Sequence, residues 1–185
     1  MTMRVVTAWE TALSEADHAA LSALLQAAFP GPEFAPDRSW PASWARKQAR
    51  IWLADADGTP LAHLGIERRL AGTESGEVLI AGVGDVAVAP SHHGTGLGAE
   101  LMRALDAHLR GGPFAADFGF LQCREAVAGF YARTGWTAVA NPTRHLAVSD
   151  ARTVREGHWP TFVRPGRRPL TDWPPGLIDL RGLPW

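Results

Sequence analysis

The chain has 185 residues, 46% hydrophobic and 20% charged, the size and balance of one globular domain with its own core, which argues against wholesale disorder. Its formal net charge of -1, from 18 Lys+Arg against 19 Asp+Glu, leaves no general field to hold a polyanion, so nucleic acid is not an expected partner and any anion must be bound locally. No run approaches the roughly 18 apolar residues of a membrane span, and Met1 to Glu10 lacks the apolar run and small-residue site of a secretory signal. A single cysteine, Cys123, excludes an internal disulfide and a sulfur-rich metal site. The expectation is a cytoplasmic protein with no metal and no membrane partner.

Arg4 to Trp9, rich in Val and Thr, suits a first strand. A helix follows, with Ser14 as N-cap, Asp17 in its first turn and Leu21, Leu24, Leu25 and Phe29 at helical spacing before Pro30-Gly31-Pro32. The stretch from Pro30 to Trp44 has no clear period but is unusually acidic and aromatic for a linker. Arg50 to Ala54, a turn at Asp55 to Thr59 and Pro60 to Leu70 read as a hairpin. Glu77 to Val88 is nearly all apolar, as a buried central strand should be, and Gly82 and Gly84 within it mark a bulge or the close approach of something else. Leu97, Leu101, Leu105 and Leu109 repeat on one face of a helix. Phe114 to Cys123 then reads as a strand, Glu125 to Arg133 as a short helix and Trp136 to Val148 as a strand region. The last part is proline-rich, yet Trp159, Phe162, Trp173, Leu177, Ile178, Leu180 and Trp185 give it apolar surface to bury, so it should pack on the domain. The order of elements predicts mixed α/β. The sole lysine, Lys47, reads as a sign of arginine-biased composition.

The most informative segment is Val86-Ala-Val-Ala-Pro-Ser-His-His-Gly-Thr-Gly-Leu-Gly98, a strand and a glycine-rich turn feeding a helix. Such a turn bares backbone N–H groups, and the helix dipole adds positive charge, so it can hold a pyrophosphate without lysines. Glycine spacing alone leaves an ordinary strand-to-helix turn open. The phosphate loop ending in Gly-Lys-Ser/Thr is absent, and Gly94, Gly96 and Gly98 do not fit the dinucleotide fingerprint.

Val86-x-Val-x-Pro followed by Gly-x-Gly-x-Gly resembles the acyl-CoA-binding motif of the GNAT superfamily of N-acyltransferases, and Phe130-Tyr131-Ala-Arg-Thr-Gly135-Trp136 resembles its second motif. The resemblance implies a single GNAT-type α/β domain over 1–185. It has an acceptor-side half (1–76), an acetyl-CoA-binding core (77–136) and C-terminal strands with an acceptor-side tail (137–185). Its central mixed, mostly antiparallel sheet is flanked by helices and splays at the acyl-CoA site. It also implies that Val86 and Val88 pair through their backbone with the pantetheine arm. The loop Gly94, Thr95, Gly96, Leu97 and Gly98 then holds the pyrophosphate, with His93, where the superfamily usually has Arg or Gln, as a further phosphate contact.

Within the superfamily, Asp37 and Trp40, Ile51-Trp52, Ala62-His63, Arg68-Arg69-Leu70 and the ending Asp179 to Trp185 look like the aminoglycoside 2'-N-acetyltransferases. Arg38-Ser39-Trp40, Ala62-His63 and Trp173-Pro-Pro-Gly176 are similar to the nodulation N-acyltransferases. Both act on amino sugars, and the motif tyrosine tips the expectation to acetyl transfer onto an aminoglycoside of gentamicin or kasugamycin type, an antibiotic-resistance activity. The nodulation reaction and a non-catalytic acyl-CoA-binding domain are the alternatives. By this resemblance the substrate amine attacks acetyl-CoA directly, with a backbone N–H near Val88 facing the oxyanion and Tyr131 protonating the thiolate. Asp85 is the candidate base or substrate anchor, provided a bulge turns it to the acceptor face. Glu33, Asp37, Trp40, Asp179 and Trp185 are the candidate contacts to a cationic sugar. A homodimer stays open.

Overall fold

The computed structural model describes residues 3–29 and 45–185. The elements, in chain order, are β1 (Arg4–Trp9), α1 (Glu15–Ala28), β2 (Ala49–Ala54), β3 (Pro60–Thr73), β4 (Gly76–Val88), α2 (Leu97–Arg110), β5 (Phe118–Gln122) and α3 (Glu125–Arg133). They continue with β6 (Thr137–Val139), β7 (Thr143–Leu146), β8 (Val154–Gly157), β9 (Thr161–Pro165) and β10 (Ile178–Asp179). Among the described residues the strands form one ten-stranded sheet, in which β1 and β2 join one side of β3 and the rest run in the order β6-β9-β5-β4-β3-β10-β7-β8. Only β4/β5 and β10/β7 pair in parallel. This is the expected mixed, mostly antiparallel α/β architecture.

Local chemistry accounts for several boundaries. Ser14 and Asp17 form a reciprocal capping box at the start of α1. In the β2–β3 turn, Asp55 Oδ1 accepts from the amides of Asp57 (3.0 Å) and Thr59 (2.8 Å). On one face of the sheet Ile51, Leu53, Leu64, Ile66, Ala81 and Val83 pack with Leu101, Met102, Leu105 and Leu109 of α2 in the largest buried cluster.

Two expectations are corrected. The strand read over Phe114 to Cys123 is confined to β5, because the chain first turns: the Ala116 amide bonds to the Leu109 carbonyl (3.2 Å), and Phe114 stands edge-on to Trp9 at 4.7 Å. Trp136 to Val148 is two strands in different parts of the sheet, β6 on β9 and β7 on β8 and β10. Pro142 lacks the N–H needed to continue a ladder, and Asn141 is tied to the C-terminal segment through Trp173 Nε1 (2.8 Å) and the carbonyls of Pro174 (3.1 Å) and Gly176 (2.7 Å). That segment packs as expected, with Trp173 on Phe118 (5.1 Å) and Phe120 (5.9 Å) and with Ile178 and Leu180 fully buried, but Trp159, expected to be buried with them, is exposed.

Candidate active site

Strand β4 carries the site because it leaves its neighbour. Its ladder with β5 runs only from Ile80 to Gly82, whereas its pairing with β3 continues to Val88 opposite Ala62. From Val83 onward, β4 therefore has no strand partner on the β5 side among the described residues, and the backbone of Val86 and Val88 borders that opening. The turn beyond is the glycine loop. Gly94 (φ 77°) and Gly96 (φ 90°) are left-handed and exposed, and a Cβ on either would meet nothing within 4 Å, so the space beside the loop is open. Leu97 and Gly98 open α2, where the first N–H groups have no intrahelical acceptor. Gly98 is close-packed instead: a Cβ there would lie 3.0 Å from the Phe130 ring. Thr95 Oγ1 donates to the His92 carbonyl (2.7 Å), while His93 Nε2 lies 3.0 Å from the Val88 carbonyl, so the imidazole braces the loop against the strand end. These features fit a pyrophosphate and a pantetheine arm: a helix N-terminus, open left-handed glycines and an unpaired strand edge.

Tyr131, on α3, borders the same region with a nearly buried ring, at 5.1 Å from Phe130, 6.1 Å from Trp136 and 6.0 Å from Phe162 between centroids. Its hydroxyl makes no hydrogen bond among the described residues, yet it is not among the enclosed, unpartnered polar atoms. Burial, with the Cys123 thiol adding to it, pushes the phenol above its ordinary range, so it keeps its proton at neutral pH. Cys123 is half-buried and its thiol is likewise pushed up by burial and Glu125, which suits packing rather than nucleophilic attack.

The bulge that Asp85 requires is present. Between Gly84, opposite Gly65, and Ala87, opposite His63, β4 carries one residue more than β3, and Asp85 itself is left-handed (φ 52°). Its carboxylate thereby lies on the face away from α2, with Oδ2 3.4 Å from Lys47 Nζ and 3.8 Å from Arg50 Nη1. That oxygen is enclosed and makes no hydrogen bond among the described residues, as is Glu67 Oε2.

The residues missing from the sequence reading are those around this carboxylate. Lys47 is buried in a trough that only glycine permits: a Cβ on Gly65 would fall 2.4 Å from its Cγ, and one on Gly84 3.1 Å from its Cε. Burial pushes its ammonium below the ordinary lysine range, opposed by the Asp85 charge. Arg50 Nε donates to Glu10 Oε2 at 2.6 Å, and the Arg50 guanidinium also reaches His63 Nε2 at 3.4 Å. His63 is wholly buried, and desolvation together with Arg50 brings its pKa down to about 4. The signals were present as the lone lysine and as Gly65 and Gly84, which face each other across β3 and β4, but nothing in the sequence joined them.

Trp185 is the sequence-predicted acceptor residue that the structure brings here. Its ring fills the space above Gly82, where a Cβ would lie 2.2 Å from Cε2, and stands edge-on to Phe120 at 5.7 Å. Arg69 clamps the segment, donating to the carbonyls of Leu180 (2.7 Å) and Leu183 (2.9 Å), with its guanidinium 5.3 Å from the Trp185 ring centre and an ion pair to Glu67. Asp179 is not brought to the site. It pairs with Gly72 opposite Glu77, at the other end of β4, where it caps the Arg181 amide (2.8 Å) and faces Arg144 at 3.6 Å. Glu33, Asp37 and Trp40 lie outside the described residues.

The curled sheet, its β4–β5 opening and the glycine loop define a GNAT-fold protein. The fold matches the crystal structure of the Escherichia coli GNAT family N-acetyltransferase YhbS in complex with CoA, with TM-score 0.61 over 97% of this chain and 91% of that one at 14% identity. It also matches Escherichia coli ElaA, with TM-score 0.59, 17% identity and coverage of 88% and 99%. The sequence is more specific: the chain belongs to the nodulation protein A (NodA) family, which it matches over residues 1–183. It is 30% identical to nodulation protein A of Rhizobium leguminosarum bv. viciae and 31% identical to that of Rhizobium meliloti (strain 1021), in each case across 94% of this chain and 93% of the relative. Of the two resemblances read in the sequence, the family is the nodulation one, and nothing in these matches supports an aminoglycoside acceptor or antibiotic resistance.

Proposed function

We propose that this protein is an acyl-CoA-dependent N-acyltransferase that acylates an amine of an amino-sugar oligosaccharide. The NodA family match across residues 1–183 carries this reading. The open edge of β4, the left-handed glycines of the loop and the acidic bulge beside it support it. Acyl-CoA supplies the activated acyl group. Val86 and Val88 bind its pantetheine arm through their backbone, and the amides of Gly94 to Gly98 hold its pyrophosphate, with His93 bracing the loop and in reach of phosphate. Asp85 receives the proton of the attacking amine, and Tyr131, kept protonated by burial, returns one to the departing thiolate. Trp185, with Glu33, Asp37 and Trp40, contacts the sugar.

The test measures thiol release from acetyl- and long-chain acyl-CoA with glucosamine oligosaccharides, aminoglycosides including kasugamycin, and a basic peptide, each product checked by mass. Turnover on the oligosaccharides, with one acyl group added, is the expected result, and the donor used sets the chain length. Turnover confined to aminoglycosides moves the acceptor to the antibiotic class, which the motif tyrosine favoured. CoA binding with no turnover on any amine overturns the enzymatic reading. Tyr131→Phe should lower turnover by about 100-fold with acyl-CoA binding unchanged, and full turnover removes the tyrosine from the acid role.

A further inference from the structure

The bulge that turns Asp85 is held from the neighbouring strand by a side chain. In regular alternation Asp85 would project on the side of Val83, into the cluster packed by α2. The added residue reverses that, and the Asp85 carbonyl at the bulge is met by His63, the residue at the register break in β3. His63 Nδ1 lies 2.9 Å from that carbonyl, and Nε2 lies 3.4 Å from Arg50 Nη1. A carbonyl can only accept and a guanidinium can only donate, so the ring is the neutral tautomer with its hydrogen on Nδ1. Arg50 is fixed in turn by two bonds to Glu10, at 2.6 and 3.2 Å. The imidazole has no exposed surface, so it cannot reach a substrate itself.

We propose that His63 is a positioning residue whose Nδ1–H latches the β4 bulge and thereby sets the Asp85 carboxylate on the face beside Lys47. The kinetic arm of its test rests on the acyltransferase reading, and the structural arm does not. Asparagine can offer an N–H close to the place of Nδ1, glutamine carries its amide one bond further out, and leucine offers none. In crystal structures His63→Asn should keep Asp85 left-handed, whereas His63→Leu should relax it and turn the carboxylate away from Lys47. In turnover, His63→Asn should stay within about 5-fold of the native protein, while His63→Gln and His63→Leu lose about 50-fold in kcat with acyl-CoA affinity unchanged. A leucine variant that retains the left-handed Asp85 and its contact with Lys47 overturns the latch, as does equal kcat loss in the asparagine and glutamine variants. Should the leucine variant fail to fold, the asparagine–glutamine contrast decides; should the native protein turn over no amine, the structures decide alone.

Discussion

Around the candidate site the two faces of the central sheet are built on opposite rules, although further along the second face Ile80, Phe118, Phe120, Ile178 and Leu180 form an apolar cluster of their own. Towards α2, Ile51, Leu53, Leu64, Ile66 and Val83 meet Leu101, Leu105 and Leu109, and the face is held by filled volume. On the other face Gly65, Gly82 and Gly84 strip the strands of side chains, and the room is taken by Lys47 and Trp185 above a set of buried charges that includes Arg50 and Asp85. Apolar packing tolerates a change of shape and ignores pH. A glycine bed takes an added methyl only by displacing the side chain that lies on it, and a buried ion pair tolerates neither the loss of one partner nor a large change of pH. The first face supports the fold, and this part of the second builds the candidate site.

The sharpest way to break this contrast is to remove one ion. Lys47→Ala leaves the Asp85 carboxylate enclosed without its nearest cation and should cost about 3–5 kcal/mol in denaturant unfolding; adding Asp85→Asn should recover a large part of that. If the two changes simply add, the pair is not coupled. On the apolar face, Leu105→Ala should cost about 3 kcal/mol through its cavity and should cost the same at every pH where the fold persists.

An acid titration separates the faces next. The folded chain protonates His63, which faces Arg50, Asp85 and Lys47, only near pH 4, whereas the unfolded chain does so near 6.5. The folded pKa is the lower one, so this contribution is fully present above pH 6.5 and is lost as pH falls towards 4, by about 3 kcal/mol in all. His63→Asn should flatten that part of the profile, and an unchanged profile would assign the acid sensitivity to other groups. The smallest effect is expected at Gly82→Ala, where the methyl must displace the Trp185 ring, at about 1–3 kcal/mol. Its sharper readout is a raised KM for the acceptor with the KM for acyl-CoA unmoved, and a rise in the latter would place Trp185 on the cofactor side.

Much of the fold was legible because its elements are signalled locally. The Ser14–Asp17 box, the leucines of α2 and the apolar run of β4 each state a period or a cap within a few residues. The break at Asn141-Pro142 was on view, but the placing of β6 and β7 in different parts of the sheet was not, since partners far along the chain decide it. In the site, the glycine loop was legible because left-handed backbone and a bare helix start have a sequence signature. Asp85 was legible only as a condition, since alternation alone sends its side chain to the wrong face.

The sequence by itself determined the α/β order, the strand and glycine-rich turn that feed α2 and the likeness to the N-acyltransferases, because periodicity and glycine chemistry act over short range; its first choice within them, the aminoglycoside type, gave way to the nodulation family. Only the tertiary structure decided that Lys47, Arg50 and His63 surround Asp85, that Trp185 lies on Gly82 and that Asp179 stands apart. Charges come to share a buried space through strand register and bulges, and register is settled by the whole sheet rather than by any segment of it.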